Sequence, residues 1–198
     1  MLPLSVADLR ETDAGGRART EEFLALAREL GDVMFISDGL NNLGWALLLA
    51  GDLEAAVRSL DEAVAVARLL GDTFRVTIST CNLGLAAVLQ GRYADAIPVL
   101  RETLELCIRR GDKRCGSEAV LGLAAAAAGL GDDELAVRLD AMQGSLMNEA
   151  GIVYERVLSE RLDRLLKPAR DRVGKLEPGA VTLELALDQS TSIASPNE

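Results

Sequence analysis

Glycine recurs at one fixed phase through most of this chain: Gly31, Gly51, Gly71, Gly91, Gly111, Gly131 and Gly151, each twenty residues after the last. Aspartate follows at Asp32, Asp52, Asp72, Asp112 and Asp132, whereas Gly91 is followed by Arg92. A glycine can take the left-handed backbone position that closes a helix, and the next aspartate can accept hydrogen bonds from the first turn of the following one. A chain that stops itself at this interval predicts an all-α stack of antiparallel helical hairpins, two helices per forty-residue unit. The phase places A-helices at about 33–50, 73–90 and 113–129, and B-helices at about 52–70, 92–110 and 132–150.

Charge separates the two kinds of helix. No charged residue lies between Gly39 and Gly51, nor between Val76 and Gly91. Helices so uniformly apolar are expected inside the stack. The B-helices carry charge on one face, as with Glu54, Arg58, Asp61, Glu62 and Arg68, and that face is expected in water. Glu54 and Arg58, four apart in the favourable order, are expected to pair. Pro98 falls early in a B-helix, where it forfeits one bond to Ala94. The third unit carries Asp140 and Gln143 where the first has Leu60 and Ala63. Its A-helix is almost pure alanine at 124–128, which predicts shallow packing there.

The array is expected to span 17–151, with hairpins at about 32–71, 72–111 and 112–151. Residues 1–16 read as a flexible lead-in, 152–174 as a capping helix, and 175–198 as a short helix with a disordered tail. Pro168 is expected to kink or end the capping helix. The helix at 17–30 stands in a B position with too little chain before it for an A partner. Its apolar face is therefore expected to be completed by further upstream sequence or by a second copy, giving a homodimer through that edge.

Several function classes are disfavoured. A net charge of -10 is the opposite of what a phosphate backbone attracts, so no direct nucleic-acid partner is expected. No apolar run of about eighteen residues is free of polar interruption, so no membrane span is expected. The N-terminus lacks the basic start and long apolar run of a signal peptide. Histidine is absent, which removes Ser-His and Cys-His catalysis and the common zinc sites. There is no G-x-x-x-x-G-K-[ST] stretch. Gly129-Leu130-Gly131 follows an alanine-rich helix rather than a strand and reads as a helix stop. Asp132-Asp133-Glu134 reads as acidic residues favouring a helix start. Cys81, Cys107 and Cys115 form no C-x-x-C pair and fit a reducing cytoplasm. No catalytic residue, metal ligand or cofactor is expected.

The register carries a resemblance. Leu43-Gly44 is followed by Ala56, Leu60 and Ala63, and Leu83-Gly84 by Ala96 and Leu100. A glycine inside a helix costs about 1 kcal/mol relative to alanine, a cost accepted where another element must come close; Ala56 and Ala96 are the small partners expected opposite. This arrangement resembles the tetratricopeptide repeat over about 17–150. The resemblance implies a right-handed solenoid whose A-helices line a concave groove, with an asparagine before Leu-Gly holding a bound peptide's backbone. Asn42 and Asn82 stand at that position, and Gly122 replaces the third. For both asparagines, bonding to neighbouring helices remains the alternative. The groove residues so implied are Asp38, Asn42, Trp45, Leu49, Ile78, Asn82, Leu85, Leu89 and Glu118. With Asp38 and Glu118 near the mouth, a protein or peptide partner with an apolar centre and basic flanks is expected.

The forty-residue period closing on Leu-Gly-Asp, with the tail Pro168–Gly174 and Gly179–Ala186, is similar to one particular setting. That setting is the C-terminal tetratricopeptide region of bacterial signal-transduction ATPases and LuxR- or maltose-regulator-like transcription regulators. It implies a regulatory or signalling interaction module. The alternative is a small-molecule sensor domain of such a regulator.

Overall fold

The computed structural model describes residues 14–151, 156–174, 176 and 182–193. Most of the expected lead-in, the first residues of the expected capping helix and the end of the tail lie outside them. Nine helices make up the described chain, with no strand among these residues. They are α1 (Ala14–Leu30), α2 (Val33–Ala50), α3 (Leu53–Leu69), α4 (Thr73–Leu89), α5 (Tyr93–Arg110), α6 (Lys113–Leu130), α7 (Asp133–Ala150), α8 (Arg156–Val173) and α9 (Leu183–Ser190). Within the units, α1, α2 and α3, and then α5, α6, α7 and α8, pack consecutively as in a helical-repeat solenoid. The residues divide into two compact units, up to Ala86 and from Ala87 on, with the division inside α4.

The punctuation works as the spacing predicts. All seven phased glycines have positive φ, from 64° at Gly151 to 89° at Gly51. At Gly51 the next amide, Asp52 N–H, reaches back to Leu47 O at 3.0 Å, and the same bond recurs from Asp32, Asp72, Arg92, Asp112 and Asp132. Asp32 Oδ1 accepts from the amides of Met34 and Phe35, and Asp112 and Asp132 accept likewise from Cys115 and Leu135. Arg92 makes no side-chain cap; its guanidinium turns to Asp95 instead.

In the first unit α2 packs against both α1 and α3. Leu24, Leu40 and Ala63 form the centre of that contact. Ser59 Oγ, on α3, donates to Leu40 O at 2.8 Å and fixes the two helices along their axes. Gly44 serves a close approach, but its neighbour is Leu60 rather than Ala56: a Cβ at 44 would lie 2.5 Å from Leu60 Cγ. By length and composition α2 would suffice to cross a membrane; in this fold Leu40, Leu47 and Leu48 are instead buried among helices.

The second unit is built around α6, against which α5, α7, α8 and α9 all pack. The expectation of shallow packing is corrected here: Ala124, Ala125, Ala126 and Ala127 have no accessible surface. Methyl side chains are what let four helices close on one, because larger groups would hold the backbones apart. The Tyr93 ring of α5 lies so close to Gly129 that a Cβ there would be 2.3 Å away, and Leu183 of α9 covers Gly116 in the same manner. Asp140, one of the polar departures of the third repeat, accepts from both Arg170 Nε and an outer nitrogen of Arg170 at 2.7 and 2.8 Å. That residue type at that position is where α8 docks.

α8 buries Leu158, Leu162, Leu166 and Ala169. It continues through the exposed Pro168 to Val173, so the proline does not end it. The expected tail is corrected in part as well. α9 is N-capped by Thr182, and Ser190 and Ile193 are buried at 1% and 6% exposure, so chain read as disordered from 189 is packed at least to 193. The anticipated Glu54–Arg58 pair is not made among the described residues.

Candidate functional site

The A-helix candidates of the first unit sit on α2 and α4, and two polar contacts join those helices. Arg75 donates from Nε and an outer nitrogen to the two carboxylate oxygens of Asp38, both at 2.8 Å. One helical turn along α2 and two along α4, Asn82 Nδ2 donates to Asn41 Oδ1 at 2.9 Å. Each helix contains a single charged side chain, Asp38 on α2 and Arg75 on α4. Two lone opposite charges on otherwise uncharged helices, nearly one repeat apart, are the signal in the sequence that they meet.

The electrostatics follow from this geometry. Arg75 is also hydrogen-bonded to Asp72, whose carboxylate caps α4 through the Arg75 amide at 3.0 Å. The Arg75 guanidinium is held above its ordinary range, chiefly by the Asp38 hydrogen bond. Asp72 is held below the usual carboxylate range, first by the Arg75 amide and then by the Arg75 side chain. Asp38 is therefore engaged within the fold rather than open at the mouth of a groove. The cluster of two carboxylates and one guanidinium still leaves one negative charge.

Accessibility sorts the remaining candidates. Asn42 and Ile78 are half-buried, and no hydrogen bond among the described residues engages the Asn42 amide. Asn82 is 6% exposed and bonded to Asn41. Trp45 and Leu49 are buried, and Leu85 has no accessible surface at all. A side chain without accessible surface touches no partner, so Leu85 belongs to the core. In the second unit Leu89 is half-buried. Glu118 there is half-buried too, with an Arg114 nitrogen 3.6 Å away. Polar, uncommitted and accessible at once, Asn42 stands apart from Asn82 although the sequence places them in equivalent positions.

The three cysteines are reduced and buried. In the second unit a hydrogen bond with Cys115, together with burial, pushes the Cys107 thiol far above its ordinary range, which suppresses the nucleophilic thiolate. Cys81 is 1% exposed, in keeping with a small residue on an apolar helix.

No curated protein gives a match to this chain. The tetratricopeptide repeat family model matches residues 38–74 and 77–110, about a third of the sequence. Those stretches run from α2 to α5 and contain both Leu-Gly pairs. Such repeats generally mediate protein–protein interaction and are in general non-catalytic. Together with the helical-repeat architecture, the match supports a tetratricopeptide repeat protein.

Proposed function

We propose that this chain is a non-catalytic interaction module that holds a segment of a partner protein on the A-helix face of α2 and α4. The observation that carries the reading is Asn42: a half-buried amide with no hydrogen bond among the described residues, on a helix that is otherwise almost wholly apolar. An amide offers a donor and an acceptor together, which suits the backbone of an extended peptide. Ile78 provides apolar surface on α4, and the residual negative charge of Asp38, Asp72 and Arg75 favours a basic flank on the partner. The setting is regulatory or signalling, by resemblance to the C-terminal repeat regions of bacterial signal-transduction ATPases and LuxR-like regulators.

The test is retention of a partner by the immobilised chain, followed by titration of the retained protein against Asn42→Ala. Loss of one peptide-backbone contact of about 1–1.5 kcal/mol predicts roughly tenfold weaker binding, with an unchanged melting temperature. Equal affinity of the variant and the parent would refute the assignment.

A further inference from the structure

α1 and α3 both pack on α2, and between them lies an open cleft of about 420 Å³. Its floor is aliphatic: Leu24, Leu40, Leu43 and Leu47. The one polar side chain close to that floor, Ser59, has its hydroxyl committed to Leu40 O. The walls are charged. Arg17 and Arg28 stand on α1 and Arg58 on α3, against two carboxylates, Glu21 and Glu62. In a chain of net charge -10 this cleft carries a positive excess.

Its cations are available. Arg58 is exposed and makes no ion pair among the described residues. Arg17 pairs with Glu21, and Arg28 with Glu62 across the space between the helices, with both partners of each pair about half exposed. Exposed pairs of this kind contribute little and exchange partners readily.

Spacing determines what fits. Arg17 and Arg28 are eleven residues apart, three helical turns, so they project from the same face of α1 about 16 Å from each other. In an extended peptide the first, third and fifth side chains point the same way, and the first and fifth Cα atoms lie about 13 Å apart, a span that the flexible ends of glutamate and arginine side chains extend to meet both guanidinium groups. We propose that this cleft is a second binding site, taking an extended segment of a partner protein with an aliphatic side chain flanked two residues away on each side by carboxylates. The aliphatic group rests on the leucine floor while the carboxylates meet Arg17 and Arg28, and Arg58 faces the segment from the opposite wall. The A-helix face of α2 and α4 takes no part in this site, which stands or falls separately from the function proposed above.

The probe is a fluorescein-labelled peptide Gly-Glu-Ser-Leu-Ser-Glu-Gly, with a control of equal composition in which the leucine and one glutamate exchange places. Fluorescence anisotropy with the full chain is expected to show saturable binding of the probe, weakened about tenfold in the control. Arg58→Glu should weaken binding by about tenfold or more, whereas the same charge change on α7, Arg138→Glu, should not. A probe with lysine for both glutamates, which would face Arg17 and Arg28, should not bind the parent. Ala55→Phe, which intrudes on the cleft, should abolish binding while circular dichroism stays helical. Absence of saturation at millimolar probe, equal binding of probe and control, or equal effects of Arg58→Glu and Arg138→Glu would each overturn the proposal.

Discussion

Gly44→Ala probes the contact that sets the distance between α2 and α3. In an exposed helix this change would stabilise by about 1 kcal/mol, the difference in helix propensity. Here the new Cβ would lie 2.5 Å from Leu60 Cγ, 2.7 Å from one methyl and 3.3 Å from the other. Leu60 has no accessible surface, so its isobutyl group has nowhere to swing. Overpacking a filled core costs about 1–3 kcal/mol. The net expectation is therefore a change between neutral and about 2 kcal/mol destabilising. The sign of the coupling discriminates better than the single value. In a Leu60→Ala background, itself expected to cost about 2–5 kcal/mol, the space opens and Gly44→Ala should become stabilising by about 1 kcal/mol. Urea denaturation of the four proteins yields a double-mutant cycle, with an expected interaction of at least about 1 kcal/mol. A stabilising Gly44→Ala in the parent background, with no coupling to Leu60, would refute the argument that the backbone approach requires glycine.

Asn82→Ala should lower stability by about 1 kcal/mol, because it removes the donor to Asn41 and leaves that carbonyl half-buried without its partner; chemical denaturation unchanged from the parent would show that the bond contributes nothing. Acidification should loosen the docking of α8. Arg172 holds the Asp133 carboxylate below the usual range, chiefly by a hydrogen bond, so its contribution is present above the unfolded value near pH 4 and is lost as pH falls through the lower folded value. Protection factors of the α8 amides, corrected for the intrinsic pH dependence of exchange, should fall below about pH 4, and Arg172→Gln should remove part of that dependence.

The repeat, its phase and the ends of its helices were legible in the sequence because their causes are local. A left-handed glycine and the aspartate after it act on the turn in which they stand, whatever surrounds them. The missing cap at Arg92 could be read for the same reason. What the sequence could not say was how deeply an alanine run is covered. Ala124–Ala127 fit a thin contact or a crowded one equally well, and only the convergence of α5, α7, α8 and α9 on α6 decided between them. The two asparagines make the same point at the site. Asn42 and Asn82 are both followed by Leu-Gly, yet Asn82 is turned into a bond with Asn41 while Asn42 has no hydrogen bond among the described residues. Local sequence sets where a side chain sits on its helix; which neighbours it meets is a property of the packed helices, because each such contact joins residues on different helices, from 16 positions apart at Gly44–Leu60 to 67 at Gly116–Leu183.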